Sequence, residues 1–235
     1  TGLNAPAGYA EKTASHLAKL TGKPYYKAGD LIAGTWDQHA FVAESGAMRS
    51  LAVKLSKIAS DMILLSSGPR AGLGEINLPP VQPGSSIMPG KVNPVMPELV
   101  NLVSFRVIGN DLTVTLAARN GQLQLNAYEP VVAIAVLESQ RLLANTMATF
   151  RTRCVDGITV NADTLEGYIE RTVGIVTALN PVIGYDRATE LAKEAYSTNK
   201  GILEIVREKK ILSEEQIEDI LSPGALTGLD KKQYE

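Results

Sequence analysis

"DQHAFVAESGAMRSLAVKLSKIASDMILLS", residues 37–66, is the stretch that decides the fold class. Its apolar residues recur every seven positions in two rows offset by three, and no proline interrupts them. A period of 3.5 residues sustained over this length predicts one long α-helix that packs at a shallow angle in a helical bundle. The rows are Phe41, Met48, Leu55 and Met62, and then Leu51, Ile58 and Leu65.

Two further long helices are predicted downstream of this segment. Helical spacing resumes near Pro94 and runs to about Ala118, and it returns from Pro130 to about Arg151. The stripe predicted to be buried on the first is Leu99, Leu102, Val103 and Val107. On the second, helical spacing is kept by Val131, Ile134, Ala135, Leu142 and Phe150. The charged residues Arg49, Lys54, Lys57 and Asp61 fall outside the rows of the first helix and are expected to face water or a neighbouring subunit.

Beyond Cys154 the predicted elements become shorter and more charged. Helices are expected over 163–179, 186–197, 202–209 and 213–221, and Ser213 with Gln216 forms a capping-box pattern at the start of the last. The sequence therefore predicts an all-α chain with two domains. Residues 1–154 form part of a long-helix bundle that carries the loop 84–94, and residues 155–235 form a small helical C-terminal domain.

Composition narrows the class of partner. The 235 residues carry a net charge of −2, which gives no reason to expect nucleic acid or an acidic membrane surface as partner. The longest strictly apolar run, Val131–Leu137, is far shorter than the roughly 20 residues that span a bilayer. The single cysteine excludes an internal disulfide. We expect a cytoplasmic protein that binds neither nucleic acid nor membrane.

The loop "GSSIMPGKVNP", residues 84–94, concentrates the polar residues suited to chemistry. A phosphate-binding loop is rejected because five residues separate Gly84 from Gly90 and Lys91 is followed by valine. A Ser-His-acid triad lacks a recognisable nucleophile elbow, and His16 and His39 lie in helical stretches. Two histidines and one cysteine that do not cluster predict no metal site, and no cofactor is expected.

The loop itself has the features of a carboxylate pocket. Gly84 and Gly90 permit backbone conformations that other residues resist, so they are candidate hinges. Asn93 followed by Pro94 is typical of a helix start, with Asn93 as N-cap and proline at the first helical position. The positive end of that helix, with Lys91 beside it, favours a bound anion. On these grounds alone, an ordinary connecting loop stays open as the alternative.

"GSSIMPGKVNP" is similar to the signature of the fumarase/aspartase superfamily over eleven consecutive residues. Other segments resemble family landmarks in family order along the whole chain: "TGLNAP" (1–6), "SGPRAGLGEINLP" (67–79), "VIGND" (107–111), "GQLQLN" (121–126), "EPV" (129–131) and "ALNPVIGYD" (178–186). The resemblance implies the C-terminal half of a lyase that eliminates across a four-carbon dicarboxylate and releases fumarate. It also implies a homotetramer of long helices in which three subunits build each active site.

The resemblance assigns roles to individual loop residues. Ser85 matches the family's general base, which removes the proton next to a substrate carboxylate. Lys91 and Asn93 match residues that bind that carboxylate, and Glu98 matches a glutamate that pairs with a histidine in the half of the family protein not represented here. Supporting roles, including backbone N–H groups aimed at Ser85 Oγ when the loop closes, fall to Gly84, Ser86, Ile87, Met88 and Gly90.

Three readings of the function follow from the resemblance. "GND", "GQLQLN" and the Glu129-Pro130 pair resemble aspartate ammonia-lyases, whereas "AARNG" (117–121) departs from the family pattern. We therefore expect β-elimination of ammonia from L-aspartate, with a class II fumarase as the alternative and an inactive fragment or structural member as the alternative of another class. Since the remaining catalytic regions belong to the N-terminal half, the 235-residue chain alone is expected to be inactive.

Overall fold

The computed structural model describes residues 4–68, 70–82, 84, 87–88 and 90–228. The chain divides into two compact units, Thr1–Thr159 and Val160–Glu235. The described part is almost entirely helical, which confirms the predicted all-α class.

The first unit begins with two exposed helices and continues into three long ones. The helices are α1 (Tyr9–Thr21), α2 (Ala33–Trp36), α3 (His39–Leu65), α4 (Val95–Arg119) and α5 (Glu129–Arg153). Helices α3, α4 and α5 pack against one another and contain the hydrophobic core of this unit. The three long helices predicted from the sequence are confirmed in position and length.

The buried face of α3 is only partly the predicted one. Met48 is buried and Leu55 and Met62 are partly buried, but Phe41 of the first row and Leu51 and Ile58 of the second are exposed. Their place on the inner face is taken by small residues, Ser45, Ala52 and Ala59. Small side chains let neighbouring helix axes approach closely, so α3 packs within the chain through this surface and not through the second apolar row.

Helices α4 and α5 also turn part of their apolar residues outward. Val103 and Val107 on α4, and Ala135 and Phe150 on α5, are buried as expected. The prediction is wrong for Leu102, which is exposed, and Val131 and Ile134 on α5 are exposed as well. Together with further apolar side chains they leave one face of each helix uncovered within this chain: Leu102, Phe105, Leu112 and Leu116 on α4, and Val131, Ile134 and Leu137 on α5.

Helix α4 is long and apolar enough, by length and composition, to cross a membrane, and it is the one helix of the described residues that passes this test. Its inner face, however, contains the buried polar residues Ser104, Asn110 and Asp111, and it packs on both α3 and α5. Core helices of globular proteins pass the same test, and the packing of α4 is that of such a helix.

The segment between α3 and α4 has little regular structure, as its prolines and glycines predict. It contains one short strand, β1 (Ile76–Asn77), which pairs with β2 (Thr159–Val160) in a two-stranded sheet. The side-chain amide of Asn77 donates a hydrogen bond to Thr159 Oγ1 at 3.2 Å.

The described part of the second unit, up to residue 228, contains six α-helices around its own core. They are α6 (Ala162–Arg171), α7 (Val176–Ile183), α8 (Tyr185–Thr198), α9 (Ile202–Glu208), α10 (Glu214–Leu221) and α11 (Pro223–Thr227). The capping box is confirmed: Gln216 N donates to Ser213 Oγ, and Ser213 N donates to Gln216 Oε1. The single helix predicted over 163–179 is wrong, because Thr172 leaves the helical conformation and a 3-10 turn, Val173–Ile175, separates α6 from α7.

Candidate active site

The loop 84–94 returns close to its own starting point before α4 begins. Asn93 Nδ2 donates a hydrogen bond to Gly84 O at 2.5 Å. The backbone of Lys91 and Val92 also lies close to Gly84. The described part of the loop thus has a narrow neck, with Gly84 on one side and Lys91–Asn93 on the other.

The residue at position 84 must be glycine for this neck to close. A Cβ atom added there would lie 1.4 Å from Lys91 O and 3.2 Å from Val92 N. The clashing atoms belong to the backbone, so a side chain at this position would force the two sides of the neck apart. Gly84 therefore serves close backbone approach, which is a more specific role than the hinge predicted for it.

Beyond the neck, the described residues of the loop are exposed. Ile87 is 87% exposed and Met88 is half exposed, so two apolar side chains project from the surface of this chain. Lys91 N donates to Met88 O at 3.3 Å, and Gly90 between them has a φ of 81°, a left-handed conformation that favours glycine. Ser85 and Ser86, to which the sequence assigns the base and its neighbour, lie outside the described residues.

The start of α4 differs from the predicted helix cap by one residue. Pro94 occupies the N-cap position and α4 begins at Val95, so Asn93 lies outside the helix. Its side chain donates to Gly84 O and does not accept from the first turn, while its backbone carbonyl accepts from Val95 N at 2.8 Å. The predicted capping role of Asn93 is therefore wrong.

This helix start offers few backbone donors to an anion. Val95 N is already bonded to Asn93 O, and Pro97 has no N–H to donate. A carboxylate in this region would depend mainly on the side chains of Lys91 and Asn93. Lys91 is exposed, and Glu98, in the first turn of α4, is exposed as well. The structure thus brings Gly84, Lys91 and Asn93 together and leaves the charged groups open to solvent.

A buried polar cluster joins α3 to α4 at the "GND" segment, residues 109–111. Asp111 is 5% exposed, accepts a hydrogen bond from Ser45 Oγ at 2.8 Å and pairs with Arg49 Nη1 at 3.1 Å. Arg49 therefore faces α4 of the same chain, and not only water or another subunit as predicted.

The neighbouring Asn110 joins α4 to α5. Its side-chain amide donates to Glu138 Oε2 at 2.9 Å and to Ser139 Oγ at 3.1 Å. Arg106 pairs with the same carboxylate at 2.9 Å. The hydrogen bond from Asn110, followed by that from Arg106, holds the pKa of the Glu138 carboxyl below its usual range. The "GND" segment thus has a packing role within the bundle.

The "GQLQLN" landmark has a comparable structural explanation. Asn126 is 2% exposed, and its amide donates to the carbonyl groups of Ala117 and Ala118 at the end of α4. Its Oδ1 accepts from Tyr128 N at 2.8 Å, just before α5. One side chain therefore satisfies the carbonyl groups that α4 leaves unpaired and sets the start of the next helix.

Metal-binding groups do not cluster within the described ranges. No set of three or more His, Cys, Asp or Glu side chains there is arranged to hold a metal ion. His16 and His39 are exposed on separate helices, and Cys154 is buried in the core, where burial raises the pKa of its thiol.

Two cavities lie away from the loop. One of about 670 Å³ is lined by residues of α1, α2 and the chain between them, including Tyr9, Tyr25 and Tyr26. A second of about 320 Å³ lies between the end of α4 and the start of α5, beside Leu116 and Tyr128. Neither of these two cavities is lined by a described residue of the loop.

Known families and relatives match the sequence along most of its length. A family model described as a lyase matches residues 1–109, and one described as the C-terminus of fumarase C matches residues 175–228. Aspartate ammonia-lyase from Pseudomonas aeruginosa is 54% identical over 223 residues, which are 95% of this chain and 47% of the relative. Aspartate ammonia-lyase from Escherichia coli K12 is 51% identical over 94% of this chain and 46% of the relative.

Solved structures give the same result. Fumarate lyase:delta crystallin from Brucella melitensis, bound to cobalt, matches with a TM-score of 0.85 and 51% identity over 94% of this chain and 48% of that one. Class II fumarase from Schistosoma mansoni matches with a TM-score of 0.83 and 34% identity, and the match covers 95% of this chain and 50% of the fumarase chain. The chain spans about half the length of the relatives it matches. Sequence and fold together show that the chain belongs to the fumarase/aspartase superfamily.

Proposed function

We propose that this chain supplies the signature loop and part of the helical bundle to an aspartate ammonia-lyase, which converts L-aspartate reversibly into fumarate and ammonia. The observation that carries the proposal is the identity of 51–54% to aspartate ammonia-lyases, against 34% to a class II fumarase. The superfamily fold alone does not determine the substrate, so the proposal depends on this difference in similarity.

The proposed chemistry begins at Ser85. Its Oγ removes a proton from the carbon next to one substrate carboxylate, and the electron pair moves into that carboxylate to give an aci-carboxylate. Collapse of this intermediate forms the double bond of fumarate and expels ammonia from the adjacent carbon. A serine hydroxyl is a poor base at neutral pH, so backbone N–H groups of the following residues, Ser86 to Met88, must stabilise its alkoxide.

Lys91 and Asn93 are proposed to bind the carboxylate on which negative charge develops. Both lie at the neck of the loop, and a lysine ammonium with an amide N–H supplies the donors that an aci-carboxylate needs. Donors aimed at developing charge contribute about 3 kcal/mol each to transition-state stabilisation. Glu98 is proposed to act through a histidine that this chain does not contain. No cofactor is required by this scheme.

The assembly proposed for the whole protein is a cytoplasmic homotetramer with active sites shared between subunits. The uncovered apolar faces of α4 and α5 support it, because exposed apolar surface of this kind marks a contact between proteins. The exposure of Lys91 and Glu98 supports a site completed by other chains and by the N-terminal half.

A class II fumarase is the second candidate, favoured by the TM-score of 0.83 to the Schistosoma mansoni enzyme. The two are separated by following the ultraviolet absorbance of fumarate when the full-length enzyme is given L-aspartate or L-malate. An ammonia-lyase forms fumarate from L-aspartate and not from L-malate. If the enzyme forms fumarate from L-malate and not from L-aspartate, the proposed ammonia-lyase is wrong and the class II fumarase takes its place.

A further inference from the structure

The neck of the loop is fixed to the bundle through a continuous series of contacts. Gly84 O accepts from Asn93 Nδ2, and Asn93 O accepts from Val95 N at the first residue of α4. The first turns of α4 are themselves held in the core, since Met96 and Val100 are buried in one hydrophobic cluster. Gly84 is therefore held at a defined place relative to a packed helix, although the described residues beyond it are exposed.

The side chain of Asn93 retains binding capacity after making this contact. An asparagine amide carries two N–H donors and one carbonyl acceptor, and the bond to Gly84 O uses one donor. Asn93 is partly exposed, so its second N–H is available on the same side chain. A single amide can then bind the loop neck and a carboxylate at once.

We propose that Gly84 and Asn93 form a clasp that positions the base of the reaction. Asn93 holds Gly84 O with one N–H, which fixes the residue immediately preceding Ser85 in the sequence, and offers its other N–H to the substrate carboxylate. Gly84 is a positioning residue that touches no substrate, because its contribution is to let the two sides of the neck meet. This inference rests on the proposed ammonia-lyase function.

The clasp predicts different kinetic effects for its two members. Gly84→Ala places a Cβ atom against Lys91 O and opens the neck, but leaves the side chains of Lys91 and Asn93 intact. It should therefore lower kcat and change KM little. Asn93→Asp removes both N–H donors and sets a carboxylate against Gly84 O, so it should lower kcat and raise KM together.

The test uses the full-length enzyme with L-aspartate as substrate. Gly84→Ala is expected to lower kcat about 100-fold, because a shift of about 1 Å in a reacting group has that effect, with KM within about twofold of wild type. The matched control is Gly167→Ala in α6, where the nearest atom to the added Cβ is the end of a flexible arginine at 3.9 Å. Its kcat should equal that of wild type.

Amide hydrogen exchange supplies a readout that does not depend on turnover. Without substrate, Gly84→Ala and Asn93→Asp should each raise exchange in a peptide covering residues 84–94 about tenfold, while peptides from α4 beyond Val100 stay unchanged. If Gly84→Ala fails to fold, as judged by circular dichroism, the exchange and kinetic results of Asn93→Asp decide the proposal in its place.

The outcomes separate the two levels of the proposal. Wild-type enzyme that forms no fumarate from L-aspartate overturns the ammonia-lyase function and, with it, the role of the clasp. Active wild type with a kcat for Gly84→Ala within about threefold, or with unchanged exchange in both variants, overturns the clasp alone.

Discussion

Asp111 on α4 is the buried acceptor for Ser45 on α3, with Oδ1 2.8 Å from the serine Oγ, and its other oxygen pairs with Arg49. The three residues tie two long helices together through polar contacts, and Asn101 on α4 adds hydrogen bonds to Ser56 and Ser60 on α3. Asp111 belongs to the "GND" segment, which distinguishes the aspartase-like from the fumarase-like sequence pattern. In this structure the segment therefore contributes contacts that hold the bundle together.

Asp111→Ala should destabilise the full-length protein by about 2 kcal/mol, because it leaves the hydroxyl of Ser45 buried without its partner and removes the charge opposite Arg49. Urea unfolding at constant protein concentration measures the change. The control is Asp61→Ala, which removes an exposed i,i+4 pair with Lys57 and should lose less than about 0.5 kcal/mol. An equal loss in both variants would contradict the structural role of Asp111.

Because of the Glu138 carboxylate, we expect the free energy of unfolding to depend on pH in the acid range. Its folded-state pKa is lowered by the hydrogen bond from Asn110 and by Arg106, so it stabilises the fold above the unfolded pKa of about 4.3. That contribution is lost as the pH falls through the pKa of Glu138 in the folded state, because below it the carboxyl is protonated in both the folded and the unfolded protein. The stability difference between wild type and Glu138→Gln should therefore be constant near neutral pH and shrink below about pH 4.3. A difference independent of pH would contradict it.

We expect the uncovered apolar face of α4 to be part of the contact between subunits in the full-length protein. Phe105→Glu places a charge in the apolar row that also includes Leu102 and Leu112, all more than half exposed in this chain. In the full-length protein the variant should dissociate the proposed tetramer into smaller species, measured by light scattering after size-exclusion chromatography. Tyr196→Glu, which changes an 80% exposed side chain in α8, is the control and should stay tetrameric. A Phe105→Glu tetramer as stable as wild type would remove this face from the interface.

The isolated 235-residue chain is expected to form no fumarate from L-aspartate, because its loop carries Ser85, Lys91 and Asn93 but not the residues proposed for the N-terminal half. Addition of the separately expressed N-terminal half should restore turnover if the two assemble. Turnover by the 235-residue chain alone at a rate comparable to the full-length enzyme would contradict the shared active site.

The sequence predicted the long helices because their signals are local. The proline-free apolar pattern of residues 37–66 and the Ser213 capping box each need only a few neighbouring residues. Which face is buried is a non-local property. Ala52 and Ala59 carry weak hydrophobic signals but allow close helix packing, and Leu102 carries a strong one that faces outward within this chain.

The candidate site shows the same division. The loop and its residue types were identified from the sequence, whereas the contact between Gly84 and Asn93 joins residues nine positions apart with no periodic pattern between them. The expected N-cap at Asn93 was wrong because its amide is used across the neck, a competing bond that local capping rules do not include.

The most direct test of the central claim is the initial rate of fumarate formation from L-aspartate by full-length wild type and Ser85→Ala, with the proposed tetrameric state of each checked by light scattering. If this chain carries the base of an aspartate ammonia-lyase, wild type turns over and Ser85→Ala loses at least about 100-fold in kcat while it stays tetrameric. A Ser85→Ala tetramer with near-normal kcat would contradict the account.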